Sequence, residues 1–119
     1  MREKNRLLES IIKGIQEKKG KNITTIELKE IAGAICDYFV ICEGNTPMQV
    51  SAVAESIEEV VWENTNENPL RIHGRQRAEW IGMDYGTIIV HIFLPELRVF
   101  YDIEHLWADA FLKTIPDVE

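Results

Sequence analysis

The sequence has no long hydrophobic run and only two cysteines. A membrane-spanning helix needs about 18 consecutive apolar residues, and the 119-residue chain has no such stretch, so we expect no membrane span. Charged residues interrupt the apolar positions of residues 1–20, which does not fit a signal peptide. Cys36 and Cys42 lie in one strand-like segment about 20 Å apart, too far to form a disulfide with each other. We therefore expect buried free thiols and a cytoplasmic protein.

Positive charge is also scarce. The chain has 13 lysines and arginines against 20 aspartates and glutamates, which gives a formal net charge of -7. Proteins that hold nucleic acids through phosphate contacts are usually basic, so direct nucleic-acid binding is disfavoured as the main function. A basic protein partner would suit the acidic balance.

The motifs of common catalytic and metal sites are missing from the sequence. It contains no G-x-S-x-G elbow, P-loop, G-x-G-x-x-G or C-x-x-C motif. A zinc site would have to use His73, His91 or His105, which are widely spaced and lie in no zinc motif. A dyad of Cys36 with a histidine stays open, although an inert core cysteine is the commoner case.

The hydrophobic pattern predicts a single α/β (α+β) domain over residues 1–119, with a short flexible tail from about residue 114. Thr46, Pro47 and Gln49 form a typical helix start. The predicted elements are a helix at 2–19, strands at 22–28 and 35–43, a helix after Thr46, a strand at 70–74, a hairpin at 77–93 and a last helix at 101–113 capped by Asp102. Three helices cannot cover both faces of a mixed sheet of about five strands, so part of one face stays bare.

The hairpin at residues 77–93 places its side chains on two faces. Ile81 and Met83 share one parity, whereas Trp80, Gly82 and Asp84 share the other. Trp80 therefore has two interpretations, which the pattern leaves open. It either anchors a protein partner on the thinly covered face, or packs beneath the last helix.

A basic cluster precedes the hairpin. Residues 71–77 include three arginines, which could touch phosphate or could simply be solvated. Because the chain is acidic, we expect at most an auxiliary RNA contact through Arg75 and Arg77.

Three sequence blocks together resemble the ribosomal silencing factor family, also called the Iojap or RsfS family. The blocks are D-Y-F-V-I-x-x-G-N from Asp37 with a following Gln49, W-x-x-x-D-x-G-x-x-x-V-H-x-F from Trp80, and R-x-x-Y-x-[LI]-E-x-L-W-x-D-A from Arg98. The resemblance spans about residues 8–110. Two positions depart from the usual family pattern: His73-Gly74 replaces Glu-Gly, and Ile26-Glu27 replaces Leu-Asp.

The resemblance implies a fold similar to nucleotidyltransferases without their catalytic acidic pair. It also implies a non-catalytic repressor that needs no cofactor and binds ribosomal protein fourteen of the large subunit. Bound there, such a protein blocks joining of the small subunit and damps translation when nutrients are scarce. Members of the family can form homodimers.

On this resemblance we expect Trp80 to anchor a surface that binds the ribosomal protein. The expected surface consists of Trp80, Ile81, Met83, Asp84, Tyr85, His91 and Tyr101. Two alternatives stay open: a divergent nucleotidyltransferase that holds magnesium with Asp37, Asp84 or Asp102, and a scaffold that only self-associates.

Overall fold

The computed structural model describes residues 5–107 and 110–118, which form a six-stranded mixed sheet with helices on both faces. The elements are α1 (Arg6–Glu17), β1 (Lys21–Glu27), β2 (Tyr38–Glu43), α2 (Pro47–Thr65), β3 (Arg71–His73), β4 (Trp80–Asp84), β5 (Ile88–Phe93), α3 (Pro95–Tyr101), α4 (Ile103–Leu106) and β6 (Phe111–Ile115). The strand order is β3-β4-β5-β2-β1-β6. Only the β2–β5 pair is parallel among these described strands. The predicted α+β class is confirmed.

The start of α2 follows the sequence prediction. The Thr46 hydroxyl accepts a hydrogen bond from the Gln49 backbone N–H at 3.1 Å, as an N-cap does. The Gln49 side chain then accepts from the Asn45 backbone N–H at 2.8 Å. Its amide nitrogen donates to the carbonyls of Lys18 and Lys19 at 3.3 and 3.2 Å. Gln49 therefore joins the start of α2 to the end of α1.

The two long helices cross closely over one face of the sheet. A Cβ atom added to Gly14 would lie 2.8 Å from the Cα atom of Ile57, so only glycine fits at this crossing. The Ser56 hydroxyl donates to the Gly14 carbonyl at 2.7 Å. Beneath the helices lies the larger of two apolar cores, which includes Ile81 and Met83 of β4.

The opposite face of the sheet carries a smaller core. Its buried members are Ile26, Leu28, Cys36, Phe39, Ile41 and Phe93. Leu97 of α3 and Ile103 of α4 cover this core in part. The cover does not extend over Gly82, where an added Cβ atom would meet nothing within 4 Å in the described part of the chain. The expected thinly covered region therefore lies at β3 and β4.

The prediction of a last helix over residues 101–113 is wrong. Asp102 has a left-handed backbone (φ 46°) that ends α3, and its side chain makes no cap bond among the described residues. After the short α4, residues 111–115 pair with β1 along their whole length as β6. Thr114 and Ile115, predicted to lie in a flexible tail, form the end of this strand. Residues 108–109 of the predicted helix lie outside the described residues.

The two cysteines lie inside the protein. Cys36 and Cys42 are both buried free cysteines, as predicted. Burial raises the pKa of the Cys36 thiol to about 11 and that of Cys42 to about 12. The second strand starts at Tyr38 rather than at residue 35, so Cys36 precedes it. Within residues 5–107 and 110–118, no helix is long and apolar enough to cross a membrane.

Candidate functional site

The candidate site is an aromatic cluster on the smaller-core face, centred on Trp80. The Trp80 ring stacks on Phe93 with centroids 4.9 Å apart, and the Tyr101 ring lies 4.6 Å from it. Trp80 is half-buried, whereas Tyr101 is 46% exposed. Trp80 is therefore neither fully exposed nor fully covered. The end of α3 packs on the ring, and part of the ring remains open to solvent.

A hydrogen bond fixes the chemical state of His91 beside Trp80. The indole Nε1–H of Trp80 donates to Nδ1 of His91 at 3.1 Å, so the neutral ring carries its proton on Nε2. Burial among aromatic rings lowers the pKa of His91 to about 4. The Nε2 atom is buried and has no hydrogen-bond partner within the described residues. His91 is thus a neutral acceptor that orients the indole at neutral pH.

Trp80 lines two neighbouring grooves. One groove, of about 450 Å³, runs past Gly74, Arg77 and Tyr101. The other, of about 380 Å³, lies over Gly82 and is bordered by His91 and Asp84. A flat aromatic ring that lines two grooves is the type of shape that serves as an interface anchor.

Asp84 lies at the end of the Gly82 groove and behaves as the turn residue that the sequence indicates. Its Oδ1 atom accepts from the Gly86 backbone N–H at 2.8 Å. Its Oδ2 atom lies 3.9 Å from Nε of Arg71 on the neighbouring strand. Asp84 remains on the same face as Trp80, so the two can belong to one surface.

Three other residues of the expected surface lie elsewhere. Ile81, Met83 and Tyr85 are buried in the larger core, with exposures of 1%, 0% and 6%. Their parity sends them beneath α1 and α2, away from Trp80. We therefore correct the expected surface by removing them. The hydroxyl of Tyr85 is buried without a hydrogen-bond partner in the described structure.

The basic cluster borders the first groove. Arg75 and Arg77 are both exposed and line the groove, and Arg75 also forms an ion pair with Glu58 on α2. Within the cluster lies Gly74, directly after His73, the position at which the sequence departs from the usual family pattern. Gly74 has φ of 89°, and an added Cβ atom would lie 2.1 Å from the Trp80 carbonyl oxygen. The glycine therefore lets this loop lie directly against the backbone of Trp80.

The three aspartates of the enzyme alternative do not come together. Asp37 precedes β2 and Asp84 ends β4, and both influence the pKa of Cys36 at that end of the sheet. Asp102 instead lines a groove with Glu43, at the end where β2 finishes. No group of three His, Cys, Asp or Glu residues that could hold a metal ion occurs in the described ranges.

Arg98 begins the third sequence block, but the sequence pattern indicates no role for it. Arg98 is 9% exposed, and its five N–H groups all have acceptors. Nε and Nη2 bind the two carboxylate oxygens of Glu104 at 3.2 and 2.9 Å, and Nη2 also donates to the Thr24 hydroxyl at 3.0 Å. Nη1 donates to Glu43 at 3.1 Å and to the Asn22 carbonyl at 2.5 Å. Burial alone would lower the pKa of Arg98, but Glu104 and Glu43 raise it by more. The pKa therefore lies above its ordinary value, and Arg98 stays charged.

Comparisons with known proteins place the chain in a family. The family model described as "Ribosomal silencing factor during starvation" matches residues 1–119. The ribosomal silencing factor RsfS of Halalkalibacterium halodurans is 35% identical over 104 residues, which cover 87% of this chain and 87% of that protein. A Chromobacterium violaceum crystal structure has a TM-score of 0.79 at 27% identity, covering 86% of this chain and 83% of that one.

A further relative, the mouse "Mitochondrial assembly of ribosomal large subunit protein 1", is 30% identical over 74 residues, which cover 60% of this chain and 32% of that protein. The match of the family model includes the Trp80 and Arg98 blocks that carry the resemblance in the sequence. The family description names a regulatory role at the ribosome. The chain therefore belongs to the ribosomal silencing factor family.

Proposed function

We propose that this protein is a cytoplasmic, non-catalytic repressor of translation that binds the large ribosomal subunit through ribosomal protein fourteen. Bound there, it covers the face that receives the small subunit and damps translation when nutrients are scarce. Its contact is the Trp80 surface, which we define as Trp80, Asp84, His91 and Tyr101. One observation carries this assignment: a half-buried tryptophan lines two neighbouring grooves, with an exposed tyrosine packed on it.

The family supports the choice of target. Its description concerns ribosomal silencing, and the mouse relative is named for the large ribosomal subunit. The proposed mechanism is steric and needs no reacting group. It requires only that the Trp80 surface bind tightly enough to compete with the small subunit.

The geometry supports Trp80 as the anchor of this contact. Its indole N–H is already satisfied by His91, so a partner can cover the ring without leaving that donor unpaired. Stacking on Phe93 holds the ring in place before binding, which lowers the entropy cost of association. Truncation of such an anchor commonly costs about 2 kcal/mol or more, a loss of about thirtyfold in affinity.

Two further contacts belong to the proposal. Arg77 is exposed beside the first groove and could reach ribosomal RNA, whereas Arg75 would first have to leave Glu58. The exposed aromatic rings could also bring two copies together in the absence of the ribosome. A homodimer of this kind would hide the same surface that the ribosomal protein uses.

Co-sedimentation with purified large subunits tests the proposal. We compare the unchanged protein with Trp80→Ala and Tyr101→Ala. Trp62→Ala is the matched control because Trp62 is 49% exposed and lies on α2, away from the Trp80 surface. Near-ultraviolet circular dichroism and thermal melts show whether each variant is folded.

We expect the unchanged protein and Trp62→Ala to travel with the large subunit with equal affinity. Trp80→Ala should bind about thirtyfold more weakly. If Trp80→Ala and Tyr101→Ala bind as tightly as the control, the Trp80 surface is not the contact. If the unchanged protein stays at the top of the gradient, the proposed function does not apply to this chain.

A further inference from the structure

The corner formed by α3 and α4, residues 95–106, packs on the smaller core through the partly buried Leu97 and Ile103. The two helices have only seven and four residues, and Val99, Phe100 and Leu106 are 79%, 76% and 74% exposed. The N-cap residue of α3 is Leu94, whose side chain makes no capping hydrogen bond within the described structure. Helices this short are not stable alone. Contacts with the sheet must therefore fix this α3–α4 corner.

Arg98 makes the polar part of those contacts. It binds both oxygens of Glu104 across the left-handed turn at Asp102, so it fixes α4 relative to α3. It also binds Thr24 of β1 and Glu43 of β2, so it fixes both helices to the sheet. The guanidinium separates two carboxylates that would otherwise face each other in a half-buried site.

The corner in turn carries one of the four residues of the Trp80 surface, Tyr101. Tyr101 is the last residue of α3 and lies one helical turn after Arg98. Its ring lies 4.6 Å from that of Trp80 and 6.5 Å from that of Phe93. Tyr101 lies at the C-terminal end of α3, so a small rotation of this helix would move the Tyr101 ring away from Trp80.

We infer that Arg98 is the positioning residue of the Trp80 surface. Its hydrogen bonds to Glu104, Glu43 and Thr24 hold Tyr101 against Trp80, although Arg98 itself does not touch the partner. The effect on ribosome binding rests on the proposed function. The placement of Tyr101 in the free protein does not.

The first test measures that placement directly. Nuclear Overhauser effects between the Trp80 and Tyr101 ring protons are recorded in the unchanged protein and in Arg98→Lys. Lysine keeps the charge between the two glutamates but lacks the fork that binds both oxygens of Glu104. Glu104→Gln keeps the volume but removes one charged acceptor, and it serves if Arg98→Lys does not fold.

A matched control separates positioning from general stability. Gln49→Ala removes three hydrogen bonds on the opposite face of the sheet, two of which join the end of α1 to the start of α2. We expect Gln49→Ala to lower the melting temperature and to retain the Trp80–Tyr101 effects. Arg98→Lys should lose them while the signals of the larger core stay in place. Retention of these effects in both Arg98→Lys and Glu104→Gln would overturn the inference.

The second test is a double-mutant cycle for binding to large subunits. If Arg98 acts through Tyr101, Arg98→Lys should weaken binding about tenfold in the unchanged background and less than about twofold in Tyr101→Ala. Equal losses in both backgrounds would mean that Arg98 does not act through Tyr101. If the unchanged protein does not bind at all, the proposed function fails, and the nuclear Overhauser data still decide where Arg98 places Tyr101.

Discussion

Acid should weaken this fold through one buried histidine, His91. The Trp80 indole holds His91 in its neutral form, and burial lowers its pKa from 6.5 to about 4. In the unfolded chain the same ring regains its ordinary pKa and binds a proton more readily. The unfolded state therefore gains protons first as the pH falls, so the contribution of His91 to stability is fully present above pH 6.5 and is lost toward pH 4.

The two pKa values set the size of this effect. At about pH 5 the unfolded histidine is almost fully protonated and the folded one is mostly neutral. The difference corresponds to about 2 kcal/mol of unfolding free energy lost relative to about pH 7. This loss is a substantial fraction of the stability of a domain of this size.

Urea unfolding at about pH 7 and about pH 5 measures the effect. The comparison is His91→Gln, whose amide oxygen can still accept the Trp80 N–H but which does not titrate. His73 and His105 are present in both proteins, so their contributions cancel. We expect the unchanged protein to lose about 2 kcal/mol more than His91→Gln between the two pH values. Equal losses would refute the conclusion that His91 is held neutral by burial.

Two further predictions concern the larger core. Tyr85→Phe removes a buried hydroxyl that has no partner in the described structure, so it should leave stability unchanged or raise it by up to about 1 kcal/mol in thermal or urea unfolding. A clear loss would show that this hydroxyl has a partner. Gly14→Ala should cost about 2 kcal/mol in the same assay, because its Cβ atom would press on the Ile57 backbone. Gly82→Ala is the control and should change stability by less than about 0.5 kcal/mol, so equal effects would contradict the close crossing.

Most of the fold could be predicted because its strongest signals are local. Thr46 and Gln49 indicate the start of α2, and the alternation along β4 indicates that Ile81 and Met83 share one face of the strand and Trp80 lies on the other. The last 20 or so residues could not be predicted this way, since two apolar patterns overlap there. Ile103, Leu106 and the residues after them have helical spacing, but pairing with β1 fixes residues 111–115 as a strand. That pairing depends on residues far away in the sequence.

The candidate site was predictable only in part, for the same reason. The sequence places Trp80 on the less covered face, and the structure brings Tyr101 onto it from α3. The expected surface wrongly includes Ile81, Met83 and Tyr85, since all three have the parity opposite to that of Trp80 and lie in the larger core. The sequence could not show the role of Arg98, whose acceptors lie on β1, β2 and α4. A buried arginine is recognised only when its partners are seen together.

Subunit joining on sucrose gradients tests the central claim most directly. Purified large and small subunits are mixed with the unchanged protein, with Trp80→Ala or with the Trp62→Ala control. We predict that the unchanged protein and the control deplete the joined ribosome and travel with the large subunit, whereas folded Trp80→Ala does neither. If joined ribosomes persist although the unchanged protein is bound, the proposed block of subunit joining is contradicted. If Trp80→Ala depletes joined ribosomes equally well, the Trp80 surface is not the contact.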